Sequence, residues 1–376
     1  MCGRPQRYGA LVIVEELIQK TTALADSTEK RKKLPDRHNG CQETAFGSPR
    51  DFLDNRFVYA VVSARARGLS VGINMCPDKN CNFQCVYCEV HRNGEPREGP
   101  LDVEAMASEL KKTLAFVRGG RLRERPWYRT LPDELLQMRH VALSGDGEPT
   151  LAPWFAEALQ AVVHVRALSG FPFFKLVLLT NATGLDLPQV QHGLRHLTPS
   201  DEVWAKLDGG TQAYVNKVNR PGVPLEKILS NILLLSRQRP VVIQSLFPAI
   251  NGEEPPLEEI EAYAHRLLEL KNAGARISLV QIYSATRPSP NSQSGHLPLK
   301  VLSRIAQTVR QTSGLTIHAW MSIAYAICVS VGSSVELNTT TGNLAGMSGC
   351  SCSHRRTSNP SFTGIFRSSR NSAGNG

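Results

Sequence analysis

The stretch LSVGINMCPDKNCNFQCVYCEV, residues 69–90, decides how the rest of the chain is read. Its first seven residues predict a buried strand, and the Cys-rich segment behind them reads as a loop. Residues 102–117 then carry Val103, Met106, Leu110, Leu114 and Phe116 or Val117 at helical spacing. Strand, loop and helix in that order make the first unit of a β/α pattern.

The pattern repeats along the chain. HVALSG (140–145), FKLVLLT (174–180), EVWAKLD (202–208), PVVIQSLF (240–247) and RISLVQIY (276–283) predict strands, and LTIHAW (315–320) is a further candidate. Helices are predicted at 153–166, 186–196, 211–218, 225–238, 256–272 and 298–312. Six strands alternating with helices imply an α/β fold on a parallel sheet of right-handed βαβ units. Chemistry in such a sheet sits at the carboxyl ends of the strands. The loops beginning near Met75, Gly145, Thr180, Asp208, Phe247 and Ser284 should therefore share one rim.

On either side of this pattern the composition changes. Residues 1–56 read as a partly irregular leader, with Lys30-Arg31-Lys32-Lys33 among turn formers, and 57–320 as the core domain. Residues 321–376 read as a disordered, low-complexity tail: from 331 onward, 27 of 46 residues are Ser, Gly, Thr or Asn. The whole chain of 376 residues carries 43 Lys+Arg against 33 Asp+Glu, a net charge of +10. A basic balance favours anionic partners, but seven of these ten charges lie in residues 1–50 and 337–376, leaving the core at +3.

Nine cysteines with uneven spacing are too few for a disulfide scaffold and imply a reduced, cytoplasmic setting. The apolar stretch 10–17 is interrupted by Glu15 and Glu16, so it is not a signal peptide, and no run of eighteen apolar residues predicts a membrane span. Cys2 would be an N-terminal nucleophile if Met1 were removed, although no partner base can be named for it.

Cys81, Cys85 and Cys88 stand four and three residues apart in a loop that leaves a strand, a spacing at which three thiolates can converge on one metal centre. Three ligands suit a 4Fe-4S cluster with one iron left open for a substrate or cofactor. A structural zinc or saturated cluster would want a fourth, for which Cys76 is the candidate. Ser144-Gly145-Asp146-Gly147-Glu148-Pro149-Thr150 follows the next strand as a Gly/Asp-rich turn. Later strand ends carry Thr180 and Asn181, Lys206 and Asp208, Gln244 and Ser245, and Gln281 and Tyr283. Polar groups there are costly unless they are paired or face a ligand.

Cys-x3-Cys-x-aromatic-Cys after the first strand of a β/α repeat resembles the radical S-adenosylmethionine superfamily. The resemblance implies a partial (β/α)6 TIM-like barrel in which Cys81, Cys85 and Cys88 hold a 4Fe-4S cluster. The open iron would chelate S-adenosyl-L-methionine, with Tyr87 beside the adenine. Gly145, Asp146, Gly147 and Glu148 resemble the glycine-glycine-glutamate element whose backbone receives the methionine ammonium, here with Asp146 between the glycines. Thr180, Asn181, Lys206 and Asp208 would touch the ribose, carboxylate or adenine.

Five longer strings, 50–90, 142–151, 178–185, 204–221 and 279–288, are similar to the wyosine-synthase-related group of iron–sulfur oxidoreductases. That group implies reductive cleavage of S-adenosylmethionine to a 5′-deoxyadenosyl radical. The electron would come from an external flavodoxin- or ferredoxin-type donor, and the substrate would be a tRNA base or another large molecule. Cys2, Cys41 and Cys76 lie 39 and 35 residues apart and do not suggest the second cluster of the synthases, while Cys350 and Cys352 fall in the Ser/Gly tail. Arg118, Arg121, Arg123, Arg125 and Arg129, interleaved with Trp127 and Tyr128, read equally as an RNA-facing loop or as a solvated surface. A non-catalytic zinc or iron–sulfur module is the alternative to the radical enzyme.

Overall fold

A computed structural model describes residues 52–63, 65–90, 99–168, 170–285, 289 and 293–320. The expectations for residues 1–51 and 321–376, including Cys2, Cys41, Cys350, Cys352 and the Lys/Arg run at 30–33, lie outside the described residues.

The order of elements is β1 (Val58–Ser63), β2 (Gly68–Asn74), α1 (Val103–Arg118), α2 (Asp133–Leu136), β3 (Met138–Ser144), α3 (Phe155–Leu168), β4 (Lys175–Thr180), α4 (Pro188–Leu194), β5 (Glu202–Lys206) and α5 (Gln212–Val218). It continues with α6 (Leu225–Gln238), β6 (Val241–Leu246), β7 (Ala249–Ile250), α7 (Leu257–Asn272), β8 (Ile277–Tyr283), β9 (Ser294–Gly295), α8 (Leu299–Ser313) and β10 (Ile317–Trp320). Eight strands form one sheet in the order β1-β2-β3-β4-β5-β6-β8-β10. From β2 to β10 the pairing is parallel, as the alternation of strands and helices requires. The expected mixed α/β class is what the chain adopts.

One strand was not anticipated. β1 pairs antiparallel with β2, Val58 opposite Ile73 and Ser63 opposite Gly68, and extends the sheet by a hairpin rather than a crossover. Gly72 sits where a Cβ would come within 2.2 Å of the Tyr59 ring, so only glycine lets the aromatic lie flat on its neighbour.

The two faces of the sheet differ in chemistry. Val71 and Ile73, Val141 and Leu143, Leu176 and Leu178, Val203 and Ala205, Val241 and Ile243, and Val280 and Ile282 point to one side, where they share a single core with the helices. Each fully buried Leu or Ile of this layer contributes roughly 1.5–3 kcal/mol. The opposite face carries an apolar row of Leu179, Trp204, Val242 and Leu279. One step nearer the carboxyl ends lies a polar row, in which Lys206, Gln244, Gln281 and His318 are register neighbours across β5, β6, β8 and β10.

The sheet is strongly curved. Arg65, in the β1–β2 turn, donates from Nη1 to Gln244 Oε1 at 3.4 Å and to Tyr283 Oη at 3.2 Å, although β3, β4 and β5 separate the two ends in the strand order. The polar row therefore lines a concave interior, as a partial barrel requires.

The arginine-rich segment is largely turned to structural use. Tyr128 is fully buried, donates to the Ala60 carbonyl at 2.9 Å and packs edge-on to Phe52, so it has no face to offer a base. Arg121 pairs with Glu124, Arg123 with Asp133, and Arg125 lies over the Phe52 ring.

Below the core, Arg166 and Asp201 form a buried bidentate pair at 2.7 and 3.1 Å, with side chains 7% and 0% exposed. Asp201 also accepts from Leu176 N, Thr198 N and Thr198 Oγ1. Burial would raise its carboxyl, but the guanidinium and these donors prevail and hold it below the usual range. The stabilisation is present above the unfolded carboxyl's value and fades as pH falls through the lowered one. Arg166→Ala should cost about 3–5 kcal/mol at pH 7, read from urea unfolding, with the deficit against the parent shrinking below about pH 4.

Candidate active site

The strand ends that were expected to share a rim do so, and the Cys-rich loop is sewn onto them. Asn82 supplies one set of stitches. Its Oδ1 accepts from Asn181 Nδ2 at 2.8 Å, and its Nδ2 donates to Thr183 Oγ1 at 3.0 Å, both just past β4. The backbone supplies another: Gln84 N bonds to the Asn219 carbonyl at 2.9 Å and Val86 N to the Val218 carbonyl at 2.8 Å, behind α5. Gly222 N closes the set on the Asn82 carbonyl at 2.9 Å.

Cys81, Cys85 and Cys88 are half-buried thiols on this anchored loop. Cys85 Sγ accepts from Asn219 Nδ2 at 3.3 Å, and burial, reinforced by the charge of Asp208, pushes its thiol up to about 12. Three half-buried thiols are the donor class an iron–sulfur cluster takes. Among the described residues, no three His, Cys, Asp or Glu side chains are drawn together around one metal position. Cys76, the expected fourth ligand of a closed site, belongs to the core instead: it is 1% exposed, and burial followed by the charge of Glu148 pushes its thiol well up.

Tyr87 turns inward to the end of β5. Its hydroxyl donates to Asp208 Oδ2, which also accepts from Asn219 Nδ2 at 2.7 Å. Asp208 Oδ1 accepts from Leu246 N at 2.8 Å and faces Lys206 Nζ at 3.4 Å. Burial, with Asp208 next in effect, keeps the Tyr87 phenol protonated far above its ordinary range. Burial works against the Lys206 charge, yet Asp208 outweighs it and the ammonium is held above its usual value. Lys206 Nζ also donates to Tyr283 Oη at 3.3 Å and stands over the Tyr87 and Tyr283 rings at 5.0 and 5.5 Å.

The Gly145–Glu148 turn is equally bound up. Asn74 Oδ1 accepts from Asp146 N at 2.9 Å while Asn74 Nδ2 donates to Asp146 Oδ2 at 2.8 Å. Glu148 is 3% exposed, and its carboxylate is consumed by Thr150 N and Oγ1 at 3.0 and 2.6 Å, Thr180 Oγ1 at 2.5 Å and Asn181 N at 2.6 Å. Glu148 and Thr180 thus tie β3 to β4, and their side chains are spent on the protein itself. Asn181 is likewise engaged, with Asn82 and Thr183.

Of the predicted site residues, Glu148, Thr180 and Asn181 share one hydrogen-bond network and Cys85, Tyr87, Lys206 and Asp208 another; Cys81 and Cys88 lie on the same loop as Cys85, and Gly145, Asp146 and Gly147 on the turn after β3. Sequence reasoning missed Asn219, which touches Cys85, Tyr87 and Asp208 together. It also missed Asn74, Asn82 and Arg65. Asn74, Asn82 and Asn219 lie inside the strings that carry the resemblance, but nothing in their spacing announces a contact over 72 to 134 residues.

No family model matches the chain. A UPF0026 protein of Synechocystis is 32% identical over 179 residues, which is 46% of this chain and 57% of that relative, so the chain spans well under two thirds of its length. Among solved structures, TYW1 with a lysine-pyruvate adduct bound is similar at 16% identity with a TM-score of 0.44, covering 67% of this chain and 75% of TYW1. Streptococcus suis SuiB bound to S-adenosylmethionine is similar at 15% identity and a TM-score of 0.45, covering 65% and 49%.

Glycine at 147 is enforced by the loop. A Cβ there would lie 1.9 Å from the Asn80 carbonyl oxygen and 2.7 Å from Cys76 Cβ. Gly147→Ala should push the cysteine loop off the β3 turn at a cost of roughly 1–3 kcal/mol. Faster proteolytic cleavage within 76–90, with the far-UV spectrum retained, is the expected result. Parent-like protection would show that the loops are not in contact in solution.

Proposed function

We propose that the chain is a radical enzyme in which Cys81, Cys85 and Cys88 hold a 4Fe-4S cluster that binds S-adenosyl-L-methionine. One observation carries this reading: the loop bearing the three thiols is fastened to the carboxyl ends of β3, β4 and β5, so a group held there would open onto the concave interior. Such a group, when bound, would supply one-electron chemistry for opening the sulfonium bond of S-adenosyl-L-methionine.

The chain's own residues orient and shield. Asn219 directs its amide hydrogens at Cys85 and so favours the sulfur in its anionic, ligating form. Tyr87 is held by Asp208 and Asn219 with its ring beside Lys206, a fixed flat wall for an adenine. Gly145 and Gly147 bring backbone close to the loop, and their carbonyls would serve as acceptors for an ammonium. Glu148, whose carboxylate is bonded to Thr150, Thr180 and Asn181, would act by positioning that turn.

The substrate class implied by the resemblance, a tRNA base or another large molecule, is the finer part of the proposal. It is supported by the polar row that runs across four strands of the curved sheet. The electron donor would be an external flavodoxin- or ferredoxin-type protein, in keeping with a cytoplasmic setting. Among the described residues no helix is long and apolar enough to cross a membrane.

Anaerobic reconstitution tests the proposal. A brown protein with about four irons per chain is expected, with an EPR signal that changes on adding S-adenosylmethionine and 5′-deoxyadenosine released under dithionite. Cys85→Ala should abolish the deoxyadenosine. A colourless zinc protein, or cleavage that survives Cys85→Ala, would overturn the proposal in favour of a closed metal module.

A second measurement separates the positioning role of Asn219 from a structural one. Asn219→Ala should shift the cluster's midpoint potential downward by removing the amide donor from the Cys85 sulfur, while urea stability falls by about 1–3 kcal/mol for the donor also lost to Asp208. An unchanged potential would remove Asn219 from the site.

A further inference from the structure

Arg65 is the least explained cation of the interior. It lies in the turn between β1 and β2, yet its guanidinium stands within the concave face, where Nη1 bonds to Gln244 and Tyr283 and the plane lies 5.0 Å from the Tyr283 ring centre. Neither partner is a carboxylate. Its neighbour Lys206 is matched by Asp208, whereas no carboxylate among the described residues pairs with Arg65. His140 cannot take that role, because burial, followed by the charges of Lys175 and Arg65, pulls its imidazole down to about 3 and keeps it neutral.

The hydrogen bonds to Arg65 use one nitrogen only. Its Nε and Nη2 donate to no group among the described residues, and neither is a buried donor left without a partner, so this edge keeps access to solvent. That is the edge on which a guanidinium meets a carboxylate or phosphate through two parallel hydrogen bonds. Gln244 and Tyr283 hold the plane so that only the opposite edge remains for a ligand. Both are themselves fixed, Gln244 by Gln281 at 2.9 Å and Tyr283 by Lys206 at 3.3 Å. Bringing a positive charge into this interior without a counter-ion is unfavourable, and an oxyanion would reverse that.

We propose that Arg65 binds an oxyanion of the substrate, a carboxylate or a phosphate, through its Nε–Nη2 edge inside the curved sheet. The inference deepens the function proposed above and rests on it for the meaning of the word substrate, but the binding itself needs no cluster. The ligand would enter from the rim, pass Tyr87 and Lys206, and be gripped by its anionic group deeper in the interior. A cation on an antiparallel hairpin thereby selects the substrate, while the parallel strands hold the reacting end.

The test titrates the full-length, anaerobically reconstituted chain with inorganic phosphate in one arm and acetate in another, by calorimetry at ionic strength held constant with chloride. Saturable binding of one anion per chain is expected in at least one arm, and the stronger arm identifies the group. Arg65→Gln should weaken it roughly tenfold or more, and Arg65→Lys, which keeps the charge but loses the fork, should fall between. Arg129→Gln, on the exposed segment after α1, should bind like the parent. No saturable binding in either arm, or binding that Arg65→Gln and Arg65→Lys leave unchanged, would overturn the proposal. Deoxyadenosine release measured on the same parent sample keeps the two readings distinct. A chain that binds anions without cleaving S-adenosylmethionine fails only the radical reading, and one that cleaves but binds no anion fails only this one.

Discussion

The carboxylate of Asp208 joins its own β/α unit to two segments that are distant in the chain. It takes the Tyr87 hydroxyl from the cysteine loop, the Asn219 amide from behind α5 and the Leu246 N–H from the end of β6, and it balances Lys206 on its own strand. A buried charge with so many donors is stable only while all of them are present, since removing one leaves the others oriented toward an under-satisfied anion. The position of the cysteine loop therefore depends on the end of β5. A second carboxylate, Glu148, does the same between β3 and β4.

These two anchors brace a rim that is made of loops. Among the described residues, Tyr87, Asn82 and Asn181 are each held by a partner from another β/α unit, so these loops are positioned by the strands beneath them. The cost is that several polar residues at the rim are fully occupied with one another. Glu148 and Thr180, which a linear reading assigns to a ligand, bond to the protein itself and tie β3 to β4.

The antiparallel hairpin changes the character of the interior. A sheet of parallel strands alone would leave its first edge open, whereas β1 covers β2 and its turn carries Arg65 across to β6 and β8. The concave face is thus graded: an apolar row of Leu179, Trp204, Val242 and Leu279, then a polar row, then the thiol loop at the rim. Such a gradient suits a ligand with a reactive end near the rim and an anionic group further in.

The linear sequence settled the parallel α/β class, because strands buried on both faces and helices with one apolar stripe leave periodic traces in any short window. It also marked Cys81, Cys85, Cys88, Tyr87 and the Gly145–Glu148 turn, whose spacing is local and whose residue types are rare in such loops. β1 escaped because the run at 57–63 is apolar on both faces and shows no alternation, and its partner is chosen by pairing rather than by its own pattern. Asn219, Asn82 and Arg65 escaped for a related reason: a single polar residue acquires a role only when the fold delivers its partner, here from 99 to 218 residues away. Which thiols face the rim and which, like Cys76, are core was likewise decided by tertiary packing, since burial is a property of the neighbours and not of the residue.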